Sequence, residues 1–355
     1  MSSRSVARAN EARPKVSVVL LTYNHAKWIT QAVESVLMQE TNFDYEVTIV
    51  EDCSTDGTRE MVIDFRERFP ERIRLRLSEK NGEYRKNLAA AFLDSSGQYI
   101  AQLDGDDYWT SPAKLQKQAD FLDAYPECVM CFHNVRVFDE DGAVEPWYLN
   151  SSDQEEITGL EDLLVDNYIA SCSPMLRHGV IEEFPDWYYT AAWADWPLYL
   201  LHAQHGKIGY LDEVMGARRF HSGGMWAGLG NTQKVEHTIR FYELIEPTFD
   251  ARHRAIVQGR ITALSRKLAR EYRNRLRRKS VRLKELEQAL AEERQKVRRL
   301  RRRSRRMSRR LQEPDQRPHG GVANKVRGAL RRVSELRSKV VQRSERKVDG
   351  DSADS

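Results

Sequence analysis

The acidic segment DGDD at residues 104–107 is the part of the sequence best suited to chemistry. Carboxylates one residue apart at the end of a strand can both ligate one hard divalent cation, and that cation can bridge to a diphosphate. Gly105 allows another backbone to approach closely. A solvated acidic turn is the alternative for so short a motif. The apolar run before it and the aromatic Tyr108 after it favour a cation site.

Two further polar segments also follow runs that are typical of buried strands. Residues 22–24 come directly after the run 15–21, and residues 51–58 come directly after 45–50. Strands alternate with helical spacing in this half of the chain, which favours a parallel α/β sheet covered on both faces. Ligands bind outside the carboxyl ends of the strands in such sheets. We therefore expect the three polar segments to converge on one crevice. The predicted strands are 15–21, 45–50, 73–77 and 99–103, and the predicted helices are 25–39, 61–69 and 87–93.

The pattern loosens between about residues 120 and 230, where Trp, Tyr and Gly become frequent. We predict a strand over 129–138, a helix over 197–205, and a loop over 218–224 that follows a short strand. Aromatic rings, a few acids and glycine loops together are typical of a region that binds an acceptor.

The net charge of +4 conceals two oppositely charged parts. Residues 256–355 hold 32 Lys and Arg against 12 Asp and Glu, a net charge of +20, whereas residues 1–255 have a net charge of −16. The chain therefore combines an acidic body with a basic tail, and these two parts need separate explanations.

The tail is predicted to form a coiled coil. With Tyr272 at a d position, nine of the twelve a and d positions up to residue 311 are apolar or aromatic, and Pro314 ends the pattern. A short amphipathic segment follows over 326–340, and residues 349–355 have the composition of a disordered end. Four roles are open for this tail: an oligomerisation arm, an anchor on anionic lipid through 298–310, a nucleic-acid arm, or a solvated helix. Few aromatic residues accompany the Arg run, so nucleic acid is the least favoured partner.

Several classes of protein are excluded by composition. No stretch approaches the length of about 18 apolar residues that a membrane-spanning helix needs, and the polar first 13 residues lack the apolar core of a signal peptide. Cys128 and Cys131 form a CxxC without a second Cys or His pair at zinc spacing, and Cys131 lies in an apolar run. We predict buried reduced thiols and a reducing, cytoplasmic compartment.

Five segments in order resemble the family 2 glycosyltransferases of GT-A fold, in particular the bacterial branch active in cell-surface polysaccharide synthesis. They are VSVVLLTYN (16–24), VEDCSTDGT (50–58), GQYIAQLDGDDYW (97–109), ADWPLYL (194–200) and RRFHSGGMW (218–226). The resemblance implies a mostly parallel, Rossmann-like central sheet flanked by helices, to which the sequence adds a C-terminal α-helical coiled-coil extension. The expected parts are a disordered tail (1–14), a GT-A domain (15–235) with a nucleotide-sugar half (15–119) and an acceptor half (120–235), a helical basic extension (236–312), and a basic, partly disordered tail (313–355).

The resemblance also implies a reaction and its site residues. The family transfers a sugar from a nucleotide diphosphate donor to an acceptor hydroxyl with inversion at the anomeric carbon. Its metal site maps to Asp104, Asp106 and His221, which would hold Mn²⁺ or Mg²⁺, and its general base maps to Asp195. A helix N-cap is the alternative role for Asp195, and a plain loop histidine is the alternative for His221. The residues that the resemblance assigns to the nucleotide are Leu21, Thr22, Tyr23, Asn24, Glu51, Asp52, Arg85, Lys86, Asp104 and Gly105.

The implied partners are a nucleotide-diphosphate-sugar donor, with a UDP-sugar favoured, and a glycan or lipid-linked acceptor. A homo-oligomer through the coiled coil, and a position at the inner face of an anionic membrane, are further expectations for the tail. A nucleotidyltransferase is the first alternative function, but the segment TYNHAKW at 22–28 lacks the glycine-rich basic loop that such an enzyme uses. A non-catalytic oligomeric scaffold is the second, and the presence of every required acid counts against it.

Overall fold

The computed structural model describes residues 13–312 except 222 and 225–228, together with residues 326, 328, 329, 331 and 333. Ten strands and nine α-helices are described in these residues. The strands are β1 (Val16–Thr22), β2 (Tyr45–Glu51), β3 (Ile73–Leu77), β4 (Tyr99–Asp104), β5 (Tyr108–Trp109), β6 (Cys128–Asp139), β7 (Trp147–Tyr148), β8 (Ile157–Thr158), β9 (Met175–Arg177) and β10 (Lys207–Phe220). The helices are α1 (Ile29–Leu37), α2 (Thr58–Arg68), α3 (Tyr84–Leu93), α4 (Lys114–Ala124), α5 (Leu160–Val165), α6 (Asp186–Thr190), α7 (Asp195–Ala203), α8 (Asn231–Ile245) and α9 (Ala251–Gln312).

One mixed sheet holds all ten strands in the order β3-β2-β1-β4-β9-β6-β10-β5, with β7 added beside β6 and β8 beside β10. The strands β1 to β4 are parallel to their neighbours in the first half, and β6 is parallel to β10. The short strand β9 is antiparallel to both β4 and β6, and so joins the two halves. The predicted mostly parallel α/β sheet is confirmed.

The two faces of the sheet carry separate apolar clusters, because successive side chains of a strand point to opposite faces. In β1, Val16, Val18 and Leu20 belong to one cluster, which α1 and α4 cover, while Val19 belongs to the other, which α3, α5, α7 and α8 cover. Burial on both faces is what the continuous apolar run of β1 predicted. Cys128 and Cys131 are buried free thiols, as expected.

Two helices begin three residues earlier than predicted. Helix α2 begins at Thr58, directly after Gly57 in the left-handed conformation, and α3 begins at Tyr84. Polar first turns weaken the apolar periodicity that the prediction relied on, so the start of each helix was placed too late.

The prediction of a loop over 218–224 after a short strand was wrong for its first three residues. Residues Arg218 to Phe220 are the last part of β10, a strand of 14 residues that pairs with β6 along its length. Register shifts between Leu211 and Gly216 let the strand continue past the polar pair Asp212-Glu213, which interrupts the apolar pattern in the sequence.

Helix α9 belongs to two compact units, the first ending at Arg275 and the second beginning at Leu276. Within the first unit, Val257 is fully buried in the cluster beside α7 and α8, and the Tyr272 hydroxyl donates to Glu236 at 2.6 Å. In the second unit, six apolar residues at a or d positions are between 44% and 64% exposed: Leu283, Leu286, Leu290, Val297, Leu300 and Met307. The coiled coil stays a prediction.

The predicted amphipathic segment over 326–340 lies almost entirely outside the described residues, as do the predicted disordered ends. Within the part of the chain that the structure describes, no helix is both long and apolar enough to cross a membrane.

Candidate active site

Three carboxylates form the centre of the site at the end of β4. Oxygen atoms of Asp104, Asp106 and Asp107 all lie within 4.8 Å of one another. Carboxylate oxygens are hard donors that suit Mn²⁺ or Mg²⁺. Crowding of three acids is costly without a cation, so this donor set fits the metal that the sequence predicted.

The three acids differ in their electrostatic state. Desolvation, followed by the charge of Asp106, raises the pKa of Asp104 to about 7, and the same causes raise the pKa of Asp107. Desolvation also acts on Asp106, but the hydrogen bond with His221 and the proximity of His25 outweigh it and lower its pKa. Asp106 is therefore the acid of the three that carries the negative charge most persistently.

The end of β10 holds the acidic segment in place. The His221 Nε2 atom lies 3.1 Å from the Asp106 Oδ2 atom, and the His221 ring packs on Trp28 with 4.2 Å between ring centroids. The backbone N–H of Arg219 donates to the Asp107 carboxylate at 2.8 Å, and its Nε donates to the Asp106 carbonyl at 3.0 Å. The structure thus brings His221 to the acidic cluster, as the resemblance implied.

Gly105 is required by a close approach between two strand ends. Its N–H donates to the Leu21 carbonyl at 2.7 Å, and a Cβ atom at this position would lie 2.6 Å from the Thr22 hydroxyl oxygen. The Thr22 carbonyl in turn accepts the Asp52 N–H at 3.0 Å. The predicted convergence of the three polar segments is therefore confirmed, and the backbones of Leu21 and Thr22 are what join them.

Asp52 presents an acceptor with no protein partner. Its Oδ2 atom accepts the Gly82 N–H at 2.8 Å, whereas its Oδ1 atom is buried without a hydrogen bond from any described residue. Desolvation raises the pKa of this carboxyl. A buried orphan acceptor suits the N–H of a bound base.

Glu51 is fully buried and its carboxylate is used within the protein. One oxygen accepts the Ser54 N–H and the other the Arg59 Nε, both at 2.5 Å. Its side chain therefore holds the turn that carries Asp52, and the structure does not bring it to the crevice.

The loop after β1 is held by side chains of the turn at 53–58. Asn24 has φ of 53°, its N–H donates to the Ser54 hydroxyl at 2.9 Å, and its side-chain oxygen accepts the Thr55 N–H at 2.9 Å. Tyr23 beside it is 37% exposed, so its ring is available for stacking. On α3, the Arg85 Nη2 atom donates to the Ala192 carbonyl at 3.1 Å, and Lys86 is exposed.

Asp195 is the first residue of α7, and Ala194 occupies the cap position without a side-chain hydrogen bond. The helix-cap role is therefore not observed for Asp195. Desolvation raises its pKa, although the Trp196 N–H and the charge of Arg218 limit the increase. Trp196 is 5% exposed, and the centroid of its ring lies 5.8 Å from the centroid of the Trp193 ring. A desolvated carboxylate of raised pKa is suited to accepting a proton.

Sequence patterns did not reveal Arg218 as part of this site. The guanidinium is desolvated, yet the charges of Asp107 and Asp195 contribute to a pKa above its usual value. The charge of Arg218 thus interacts both with the acidic cluster and with Asp195, the candidate base. Its signal in the sequence was its place at the start of the segment RRFHSGGMW, three residues before His221.

The fold and the acidic cluster together define a GT-A-type protein, with a mostly parallel sheet whose β4 carries the acidic cluster at its carboxyl end. Residues 17–184 match the model of the family described as "Glycosyl transferase family 2". Residues 17–184, just under half of the chain, are the part that belongs to this family.

A relative from Mycobacterium tuberculosis, "Uncharacterized protein Rv1520", is 35% identical over 211 residues, which are 59% of this chain and 60% of the relative. The match thus spans about three fifths of the relative's own length.

Two solved structures share the fold. The structure of S. aureus TarS 1–349 in complex with UDP-GlcNAc is 21% identical, with a TM-score of 0.52 over 70% of this chain and 71% of that chain. The mannosyltransferase PcManGT from Pyrobaculum calidifontis in complex with GDP-Man and Mn²⁺ is 15% identical, with a TM-score of 0.50 over 75% of this chain and 81% of that one.

Proposed function

We propose that this glycosyltransferase is an inverting, metal-dependent enzyme that moves a sugar from a nucleotide-diphosphate donor to an acceptor hydroxyl. The observation that carries the proposal is the cluster of Asp104, Asp106 and Asp107 at the end of β4, with oxygens within 4.8 Å of one another. Asp52 follows the end of β2 at the same edge of the sheet, and the charge of Asp195 acts on Asp104. A polysaccharide or other cell-surface glycan is the proposed product class, on the resemblance of the five sequence segments.

The donor would bind along the joined strand ends. Tyr23 stacks on the base and the orphan Oδ1 atom of Asp52 accepts its N–H, which favours a base with a ring N–H such as uracil or guanine. Asp104 and Asp106, with His221, would hold Mn²⁺ or Mg²⁺. When bound, the cation offsets the charge that builds on the leaving diphosphate. The UDP-GlcNAc in TarS and the GDP-Man with Mn²⁺ in PcManGT support donors of this class.

Asp195 would act as the general base. Its carboxylate takes the proton of the acceptor hydroxyl as that oxygen attacks the anomeric carbon. The bond from that carbon to the phosphate oxygen breaks on the opposite face, and the nucleoside diphosphate leaves. One attack from the face opposite the leaving group inverts the anomeric configuration.

The proposal is tested with purified full-length chain, a panel of nucleotide sugars that includes UDP-GlcNAc and GDP-mannose, and Mn²⁺ or Mg²⁺. We expect metal-dependent release of a nucleoside diphosphate from one donor. Release of pyrophosphate from a nucleoside triphosphate and a sugar phosphate would instead indicate a nucleotidyltransferase, and the absence of turnover with every donor would favour a scaffold.

For the second unit we propose contact with an anionic membrane surface at the cytoplasmic face, where a lipid-linked acceptor would be met. Residues 294–310 hold 11 Lys and Arg and no Asp or Glu. Two copies of this segment side by side would repel each other, whereas anionic lipid attracts each basic side chain. Exposed Val297, Leu300 and Met307 supply a narrow apolar stripe on the same helix. A homo-oligomer through the a and d positions is the competing arrangement.

A further inference from the structure

Several buried polar atoms that have no hydrogen-bond partner within the described part of the chain belong to residues influenced by Asp195, the candidate base, or adjacent to such a residue. The hydroxyls of Tyr84, Tyr188 and Tyr199 and the Nε atom of Arg85 are buried without a hydrogen bond from any described residue. The charge of Asp195 acts on all three of these tyrosines. Other unpartnered buried atoms lie elsewhere in the fold, and these three hydroxyls differ from them in sharing the electrostatic influence of Asp195.

Tyr84 links this group to the nucleotide end of the crevice. It is the first residue of α3, and the charges of Asp52 and Asp104 act on its hydroxyl as well as that of Asp195. The Arg85 guanidinium lies 4.5 Å above the Tyr84 ring. The Tyr84 hydroxyl thus interacts electrostatically both with residues proposed for the nucleotide and metal and with the proposed base.

Tyr188 is the second tyrosine of this group, and it belongs to a different helix from Tyr84. It lies in α6, is fully buried, and interacts electrostatically with both Tyr84 and Arg85. The hydrogen bond of 3.1 Å from Arg85 to the Ala192 carbonyl ties the first turn of α3 to the segment between α6 and α7. Tyr84 and Tyr188 therefore lie on two separate elements that the Arg85 contact joins.

Other buried tyrosines of this chain have hydrogen-bond partners. The Tyr242 hydroxyl donates to the Leu164 carbonyl at 2.7 Å, and the Tyr99 hydroxyl donates to Asp123 at 2.6 Å. Leaving a buried hydroxyl unpaired is unfavourable, and most such groups in native proteins are paired. The unpaired hydroxyls of the tyrosines influenced by Asp195 therefore point to a ligand that carries hydroxyl groups.

We propose that Tyr84 and Tyr188, with Arg85, form the subsite for the hydroxyl groups of the transferred sugar. The inference rests on the proposed function and adds residues that recognise the sugar. It assigns Arg85 to the sugar, whereas the resemblance of the sequence assigned it to the nucleotide. Tyr84 and Tyr188 each offer a donor and an acceptor, and Arg85 Nε offers a donor, which matches the alternating needs of sugar hydroxyls.

The test compares Tyr84→Phe and Tyr188→Phe with Tyr242→Phe, a matched control that removes a hydroxyl with a partner. Calorimetry with Mn²⁺ measures binding of UDP and UDP-GlcNAc, and of GDP and GDP-mannose, to the full chain. Thermal unfolding of the ligand-free chain is measured in parallel, because it distinguishes a binding hydroxyl from a structural one.

For Tyr84→Phe and Tyr188→Phe we expect unchanged affinity for the nucleoside diphosphate and affinity for its sugar conjugate that is about 5-fold weaker. Their melting temperatures should stay equal to that of the wild type or rise, since an unpaired buried hydroxyl is removed. Tyr242→Phe should melt at lower temperature with the ratio of the two affinities unchanged.

Equal changes in both affinities, or a lower melting temperature without a change in their ratio, would overturn the subsite while leaving the proposed function intact. A wild-type chain that binds none of these nucleotides or nucleotide sugars would contradict the proposed function and the subsite with it.

Discussion

Asp106 differs from its two acidic neighbours in keeping its charge. The pKa of Asp104 rises to about 7 and that of Asp107 rises as well, mainly through desolvation, whereas His221 and His25 hold the pKa of Asp106 below its usual range. A cation that approaches the cluster is therefore attracted first by Asp106.

Replacing Asp106 by Ala should abolish the effect of Mn²⁺ on nucleotide binding. With Mn²⁺ present, we expect affinity for the nucleoside diphosphate to fall at least about 10-fold, to the value measured without metal. Titration calorimetry with and without Mn²⁺ measures this. Asp141→Ala, which removes an exposed acid from a turn, is the control and should bind as the wild type does. A mutant at position 106 whose binding still depended on Mn²⁺ would contradict the assignment.

The sequence predicted the acids of this site better than it predicted the residues that contact them from distant parts of the chain. Asp104 and Asp106 stand in one short motif, and the apolar run before it, the aromatic residues after it and the two other polar strand ends together indicate a cation site. Arg219 is 112 residues from Asp107 in the sequence, and Tyr188 interacts electrostatically with Tyr84 only because the chain folds. Contacts across such separations follow from the packing of strands and helices, which no local pattern encodes.

Among the elements, the strands buried on both faces were the most predictable. The apolar runs of β1, β2 and β4 predicted their place in a parallel sheet. The full length of β10 was not predictable, because its register shifts place Asp212 and Glu213 within the strand. A bulge breaks the regular alternation on which the recognition of a strand depends.

Helix α4 carries a lysine in the core. Lys114 is fully buried, its Nζ atom has no hydrogen-bond partner among the described residues, and it lies 3.9 Å from the centroid of the Trp109 ring. Burial lowers its pKa to about 7. Between pH 7 and its unfolded value of 10.5 the folded chain binds fewer protons than the unfolded chain, so stability rises with pH in this window.

Lys114→Met should stabilise the protein by on the order of 2 kcal/mol at pH 7, since it removes an unpaired amine and keeps the length of the side chain. The gain should shrink toward pH 10, because the wild type no longer has to release a proton on folding. Urea unfolding at pH 7 and pH 9.5 measures both effects.

Lys117→Met is the matched control on the same helix. Lys117 is exposed and pairs with Glu213, so its loss should change stability by less than about 1 kcal/mol at either pH. Destabilisation by Lys114→Met would show instead that the buried amine makes a favourable contact in the core.

At the scale of the whole molecule, charge is divided between an acidic body and a basic second unit. The segment 294–310 holds 11 basic residues, no Asp or Glu, and the exposed apolar residues Val297, Leu300 and Met307. Catalysis is assigned to the first unit and surface attachment to the second, so the two should be separable by mutation.

Replacing Arg301, Arg302 and Arg303 together by Gln should weaken binding to anionic vesicles about 100-fold, at about 1 kcal/mol for each side chain. Vesicle flotation at low and high salt measures the binding, and neutral vesicles should not retain the chain. Donor turnover in solution should stay at the wild-type level.

The control variant replaces Arg266, Lys267 and Arg270 by Gln, which removes the same charge from exposed positions of α9 within the first unit. It should float as the wild type does. Equal loss in both variants would indicate a general charge effect, and a chain that forms dimers without floating would favour the coiled coil.

Asp195 is the residue on which the proposed transfer from a nucleotide sugar depends most, because it is the proposed base. The direct measurement is turnover by Asp195→Asn of the donor selected from the panel, beside calorimetry of that donor, with Asp186→Asn at an exposed acid of α6 as the control. We predict that Asp195→Asn lowers turnover at least about 100-fold and leaves donor affinity within about 2-fold of the wild type. Turnover by Asp195→Asn near the wild-type rate would contradict the account.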